Sequence, residues 1–110
     1  MKEIKAIIRP NRLNEVREAL RHVPGFPGMT ISKVEGCSSP TRNPPKGLKE
    51  ELLDYSPKVR VEIVVEDEFA DPLRAAIVKA GTTRHVGDGV VWVTHVESFD
   101  YLWPPAPPQQ

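Results

Sequence analysis

Apolar residues alternate with polar ones along residues 58–65 (KVRVEIVV). Val59, Val61, Ile63 and Val65 share one face, and Lys58, Arg60 and Glu62 share the other. Side chains of an extended chain point to opposite faces in turn, so this run predicts a strand with one face buried. Residues 4–9 (IKAIIR) form a short isoleucine-rich run that ends at Pro10 and read as a buried strand. The next apolar positions, Leu13, Val16, Leu20 and Val23, fall three and four apart. That is helical spacing, with Asn11 as a candidate cap and Glu15, Arg17, Glu18 and Arg21 on the wet side. Residues 24–28 (PGFPG) break the helix, and residues 30–34 read as a second strand. Asp71-Pro72 predicts a second helix start, with Leu73, Ala76, Ile77 and Ala80 as its apolar stripe and Gly81 as its end. Residues 90–96 (VVWVTHV) read as a fourth strand.

The predicted order is therefore strand, helix, strand, long loop, strand, helix, strand. This is the α+β ferredoxin-like βαββαβ sandwich, with both helices on one face of the sheet. The other face carries valines and Trp92, and a second subunit is the natural way to bury it. Between the second and third strands lie residues 37–56, far more than a hairpin needs. Residues 38–47 (SSPTRNPPKG) suit no regular element, whereas residues 48–55 (LKEELLDY) suit a short helix. Loops of this length in compact domains are usually functional or disordered. The proline-rich residues 104–110 predict an extended or disordered tail beyond a domain of residues 1–103.

The chain of 110 residues holds 15 Lys and Arg against 15 Asp and Glu, a formal net charge of zero. That balance gives no electrostatic footprint for nucleic acid, which would need a clustered basic face, so no nucleic-acid partner is expected. The apolar runs are too short to cross a membrane, and the start of the chain lacks the apolar core of a signal peptide, which predicts a cytoplasmic protein. Cys37 is the single cysteine, and His22, His85 and His95 stand far apart, so no metal site is expected.

The candidate chemistry lies in residues 83–89 (TRHVGDG). Gly87 and Gly89 open backbone conformations that other residues avoid and let a ligand approach closely. Asp88 can cap the turn or accept bonds from a ligand. His85 is the histidine whose position suits ligand contact. Catalysis is not expected. Cys37 has no neighbouring histidine, and the remaining possibility is Glu62 with Asp88 as an acid pair.

Five segments then carry a family resemblance: MKEIKAIIRP (1–10) followed by LNEVREAL (13–20), GMTISKVEG (28–36), PKV with EIVV (57–59 and 62–65), and VGDG (86–89). In this order and at this spacing the chain resembles the PII family of nitrogen-regulatory signalling proteins. The resemblance implies a homotrimer that binds a small effector in the clefts between subunits. Residues 37–56 would be the family's T-loop, which grips a membrane transporter or metabolic enzyme, and residues 82–89 its B-loop. An adenine nucleotide (ADP, AMP or ATP) is the implied effector, with no other cofactor. Its implied contacts are Ile7, Gly28, Met29, Thr30, Gly36, Cys37, Ser38, Lys58, Glu62, Val64, Arg84, His85, Val86, Gly87, Asp88, Gly89 and Val90. Arg42, Asn43 and Lys46 would meet the partner, and effector binding would order or release that loop.

The chain also departs from the pattern. ATP-binding members carry a lysine directly after the glycine turn, where this chain has Val90. They carry two arginines after the last strand, where it has Phe99-Asp100-Tyr101-Leu102-Trp103. The T-loop also lacks the family's glutamine near its start and the tyrosine at its tip, and Tyr55 stands at the loop's base. Fewer cations mean fewer charge-assisted bonds for a triphosphate, with Arg84, His85 and Lys58 left as partial substitutes. The alternatives are a sensor of a non-nucleotide ligand such as bicarbonate, or a structural trimer like the copper-tolerance CutA proteins. Tyr101 and Trp103 fit either stacking on a base or packing between subunits.

Overall fold

The computed structural model describes residues 1–37 and 55–105. Six elements follow in order: β1 (Lys2–Ile8), α1 (Leu13–Arg21), β2 (Thr30–Gly36), β3 (Ser56–Val65), α2 (Asp67–Gly81) and β4 (Gly89–His95). A 3-10 turn at Pro10–Arg12 leads into α1. The four strands form one sheet in the order β2-β3-β1-β4, and every neighbouring pair is antiparallel. This is the ferredoxin-like topology that the alternation of elements predicts. Ser38, Arg42, Asn43, Lys46 and most of the predicted residue 48–55 helix lie outside the described residues, as does the tail from residue 106.

The strand registers sort the sheet into two faces, because directly paired residues share a face. Ile4, Ala6 and Ile8 of β1 lie opposite Ile63, Val61 and Val59 of β3. All six are buried, together with Val16 and Leu20 of α1 and Ala70, Leu73 and Ile77 of α2. Helical spacing in α1 and α2 and two-residue spacing in the strands thus converge on one core, with Leu13, Val23, Val91 and Val93 packed around it. Burial of this kind contributes about 1.5–3 kcal/mol per large apolar side chain.

The opposite face carries no helix. On it the registers place Glu3, Lys5 and Ile7 of β1, Lys58, Arg60, Glu62 and Val64 of β3, and Val90 and Trp92 of β4. Its charges pair locally, Arg60 with Glu62 at 3.0 Å and Lys5 with Glu3 at 3.5 Å. Val90 remains 55% exposed and Trp92 41%.

Several details differ from the sequence expectation, among them two strand bounds: β1 runs from Lys2 to Ile8 and not over 4–9, and β2 from Thr30 to Gly36 and not over 30–34. Arg12, not Asn11, is the N-cap residue of α1, and no side chain bonds to that terminus. The 3-10 turn takes up Asn11, so the helix proper starts later. Helix α2 begins at Asp67, four residues before Asp71, and Pro72 lies inside it. The earlier start buries Ala70 and sets Phe69 against Gly25, where any β-carbon would overlap the ring. Acidic residues Asp67 and Glu68 occupy its first turn, where the helix dipole favours negative charge. Asp71 binds Arg74 (2.9 Å) instead of capping. The fourth strand runs from Gly89 to His95 and not from Val90 to Val96.

Arg12 has a second role, since its Nε and Nη2 donate to the Ala80 carbonyl at 2.9 and 2.6 Å. A guanidinium at the carbonyl end of α2 satisfies an otherwise open acceptor and complements the helix dipole. Arg12→Ala is expected to lower stability by about 1.5 kcal/mol, the scale of a hydrogen bond to a charged donor. Urea denaturation would read it, and an unchanged midpoint would refute the capping role.

Candidate functional site

The candidate site is the loop that joins α2 to β4, where Gly81 ends the helix and Gly89 opens the strand. Three of its residues have positive φ: Arg84 at 65°, Gly87 at 95° and Gly89 at 124°. Gly89 is obligatory for space as well, because a β-carbon there would overlap the Ile7 carbonyl oxygen.

Asp88 organises the loop from within. Its carboxylate accepts five hydrogen bonds: from Arg9 Nε (2.9 Å), Thr83 Oγ1 (2.5 Å), Thr83 N (2.7 Å), Thr82 Oγ1 (3.2 Å) and His85 N (3.2 Å). Partial burial works to raise the Asp88 pKa. The bonds from Thr83, Arg9 and His85 outweigh it and hold the carboxyl well below the usual carboxylate range. Of the two roles open to Asp88, the structure shows the turn-organising one. Arg9 also donates from Nη2 to the Val86 carbonyl at 3.3 Å, which fixes the loop to the end of β1.

Lys58 reaches the same loop from β3, donating from Nζ to the Gly87 carbonyl at 2.5 Å. Burial, then the nearby Arg9, push its pKa down, and Asp88 opposes them. Gly36 lies beside the Lys58 stem, where a β-carbon would come within 3.2 Å of Cγ. Both ends of the residue 37–56 loop therefore touch the glycine turn through Lys58.

The structure brings Ile7, Gly36, Lys58, Val90 and the loop from Arg84 to Gly89 to one end of the uncovered face, with the exposed Cys37 beside Gly36. It sets Gly28, Met29 and Thr30 apart, at the start of β2. Six residue steps of strand separate Thr30 from Gly36, roughly 20 Å. Thr30 pairs with Glu62, Val64 lies beyond it, and Met29 packs against the core. Glu62 faces Lys5, three residues along β1 from the Ile8–Gly89 pair, and binds Arg60. Glu62 and Asp88 therefore do not form an acid pair. His85 binds Thr83 Oγ1 through Nδ1 at 3.1 Å.

Arg9, Thr82 and Thr83 belong to the site and were not among the implied effector contacts. The signal for Arg9 was present in the strand pairing. If β1 pairs antiparallel with β4, the residue after Ile8 must meet the residue before Gly89. Beneath the loop lies a depression of about 170 Å³ lined mostly by Ile7, Ile8, Ile77, Val78, Val90 and Val91. That is below the usual 300–1,000 Å³ of a small-molecule site, so one chain offers a wall rather than an enclosure. Among the described residues no cluster of His, Cys, Asp and Glu could hold a metal, and no helix is long and apolar enough to cross a membrane.

Comparison with known proteins agrees with this architecture. Residues 1–102 match the family model described as nitrogen regulatory protein P-II. The nitrogen regulatory protein P-II of Haemophilus influenzae is 40% identical over 99 residues, covering 88% of this chain and 87% of that protein. That of Rhizobium meliloti is 40% identical over the same length with the same coverage. Nitrogen regulatory protein P-II 1 of Escherichia coli is 40% identical over 98 residues, covering 87% and 86%. With its ferredoxin-like sheet and match over nearly the whole chain, this protein belongs to the nitrogen regulatory protein P-II family.

Proposed function

We propose that the chain is a non-enzymatic, trimeric signal-transduction protein. It takes an adenine nucleotide in clefts between subunits and passes the binding event to a transporter or enzyme through residues 37–56. Family membership supports the regulatory role. One observation carries the binding site. Asp88, Arg9 and Lys58 hold the glycine turn in place, while Val86 N and Gly87 N make no hydrogen bond to the described residues. Two neighbouring N–H groups beside a left-handed residue form a concavity that suits an anion. Lys58 and Gly36 couple that concavity to both ends of the T-loop. The single-chain depression is too small for a nucleotide, which is consistent with a second subunit closing the cleft.

Light scattering on the purified chain should return three times the monomer mass. Calorimetry with ADP should show saturable binding that Gly87→Val abolishes, because a branched residue resists the φ of 95°. A monomer, or ADP binding unaltered by that substitution, would overturn the assignment.

A further inference from the structure

Resting on that nucleotide-binding reading, we infer that the cleft selects by phosphate charge and prefers a nucleoside monophosphate to the triphosphate. Among the described residues, three cations lie at the glycine turn: Arg9, Lys58 and Arg84. Arg9 is cancelled by Asp88, which it meets at 2.9 Å, so the formal charge left at the loop is +2. A single phosphate monoester carries about −1.5 to −2 at neutral pH, which matches that charge. Each further phosphoryl group adds negative charge that must find its own donors.

Among the described residues, the surroundings offer few. Four of the loop's other N–H groups are already used. Thr83 N and His85 N bind Asp88, Arg84 N binds Thr82 Oγ1, and Asp88 N binds the His85 carbonyl. Val86 N and Gly87 N remain, enough for one phosphate. The surface flanking them is apolar, with Val86 57% and Val90 55% exposed. The sequence from His85 to its end contains no lysine or arginine, only the acidic Asp88, Glu97 and Asp100. That stretch, in this copy or in a neighbouring one, therefore brings no lysine or arginine to a β- or γ-phosphate. Lys58 cannot move outward without giving up the Gly87 carbonyl, which would then need another donor.

The test is calorimetric titration of the full chain with AMP, ADP and ATP, with EDTA present so that no divalent cation masks phosphate charge. AMP is expected to bind at least about tenfold more tightly than ATP, with ADP between them. Val90→Lys puts a cation beside the loop on an exposed position. It should raise ATP affinity about tenfold while changing AMP affinity by less than about threefold. ATP binding as tightly as AMP, or a Val90→Lys gain shared equally by all three, would overturn the charge selection and leave nucleotide binding intact. No binding of any of the three would overturn the nucleotide reading and the selection with it.

Discussion

Gly89→Ala is expected to destabilise the domain by about 3–5 kcal/mol, a large part of the 5–15 kcal/mol that holds a domain of this size together. Two costs combine. A side chain at φ 124° is strained in any surroundings, by about 1–3 kcal/mol. The new β-carbon would also overlap the Ile7 carbonyl oxygen, which is backbone and cannot rotate away as a side chain would. Relief requires β4 to part from β1 at the Ile8–Gly89 pair, the point where the candidate loop is attached. Urea denaturation should therefore show a sharply lowered midpoint, and any folded fraction should bind nucleotide weakly. A variant as stable as the parent would mean that the close approach at Ile7 is not a feature of the folded protein. Gly28→Ala is the useful contrast. Gly28 also has positive φ, at 115°, but nothing lies within 4 Å of its added carbon. It should cost the strain alone.

Asp88→Ala is expected to cost about 2–3 kcal/mol and to release the loop. The substitution strands five donors at once, among them the Arg9 guanidinium and two backbone N–H groups. Hydrogen exchange should show His85 and Thr83 amides losing protection while the core strands keep theirs. The pH dependence has a fixed sign. The folded-state pKa of Asp88 lies below its unfolded value near 4, so its stabilisation is fully present above that pH. It is lost as pH falls below about 4 towards the folded-state value. The stability gap between the parent and Asp88→Asn should therefore be constant through neutral pH and narrow in acid. A gap that widened in acid would contradict the pairing of Asp88 with Arg9.

Both predictions concern residues visible in the sequence whose physical roles were not. Gly87, Asp88 and Gly89 marked the loop as unusual because few other residues serve a turn of that kind. The sequence could not say whether Asp88 faces inward or towards a ligand. The answer depends on Arg9, which is 79 positions away along the chain. Pro72 shows the same limit at a helix end. Asp71-Pro72 is a sound local start signal, yet burial of Ala70 and packing of Phe69 extend α2 back to Asp67. Tertiary burial outweighs the one backbone hydrogen bond that the proline forfeits inside the helix. The family resemblance was legible because it runs through contiguous motifs, and the family match over residues 1–102 bears it out.

The sequence by itself determined the element order, the fold class and the core. Alternation in β3 and three-four spacing in α1 are local periodicities, and local geometry converts them directly into buried faces. It also marked the glycine turn, because positive φ is a property of single residues. Only the tertiary structure decided what that turn can do. Strand pairing brought Arg9 to Asp88, and a strand from the other half of the chain brought Lys58 to the Gly87 carbonyl. Those contacts leave two N–H groups of the turn, Val86 N and Gly87 N, without a hydrogen bond among the described residues. Which donors are occupied and which stay open depends on residues far apart in the chain, and no local pattern encodes that.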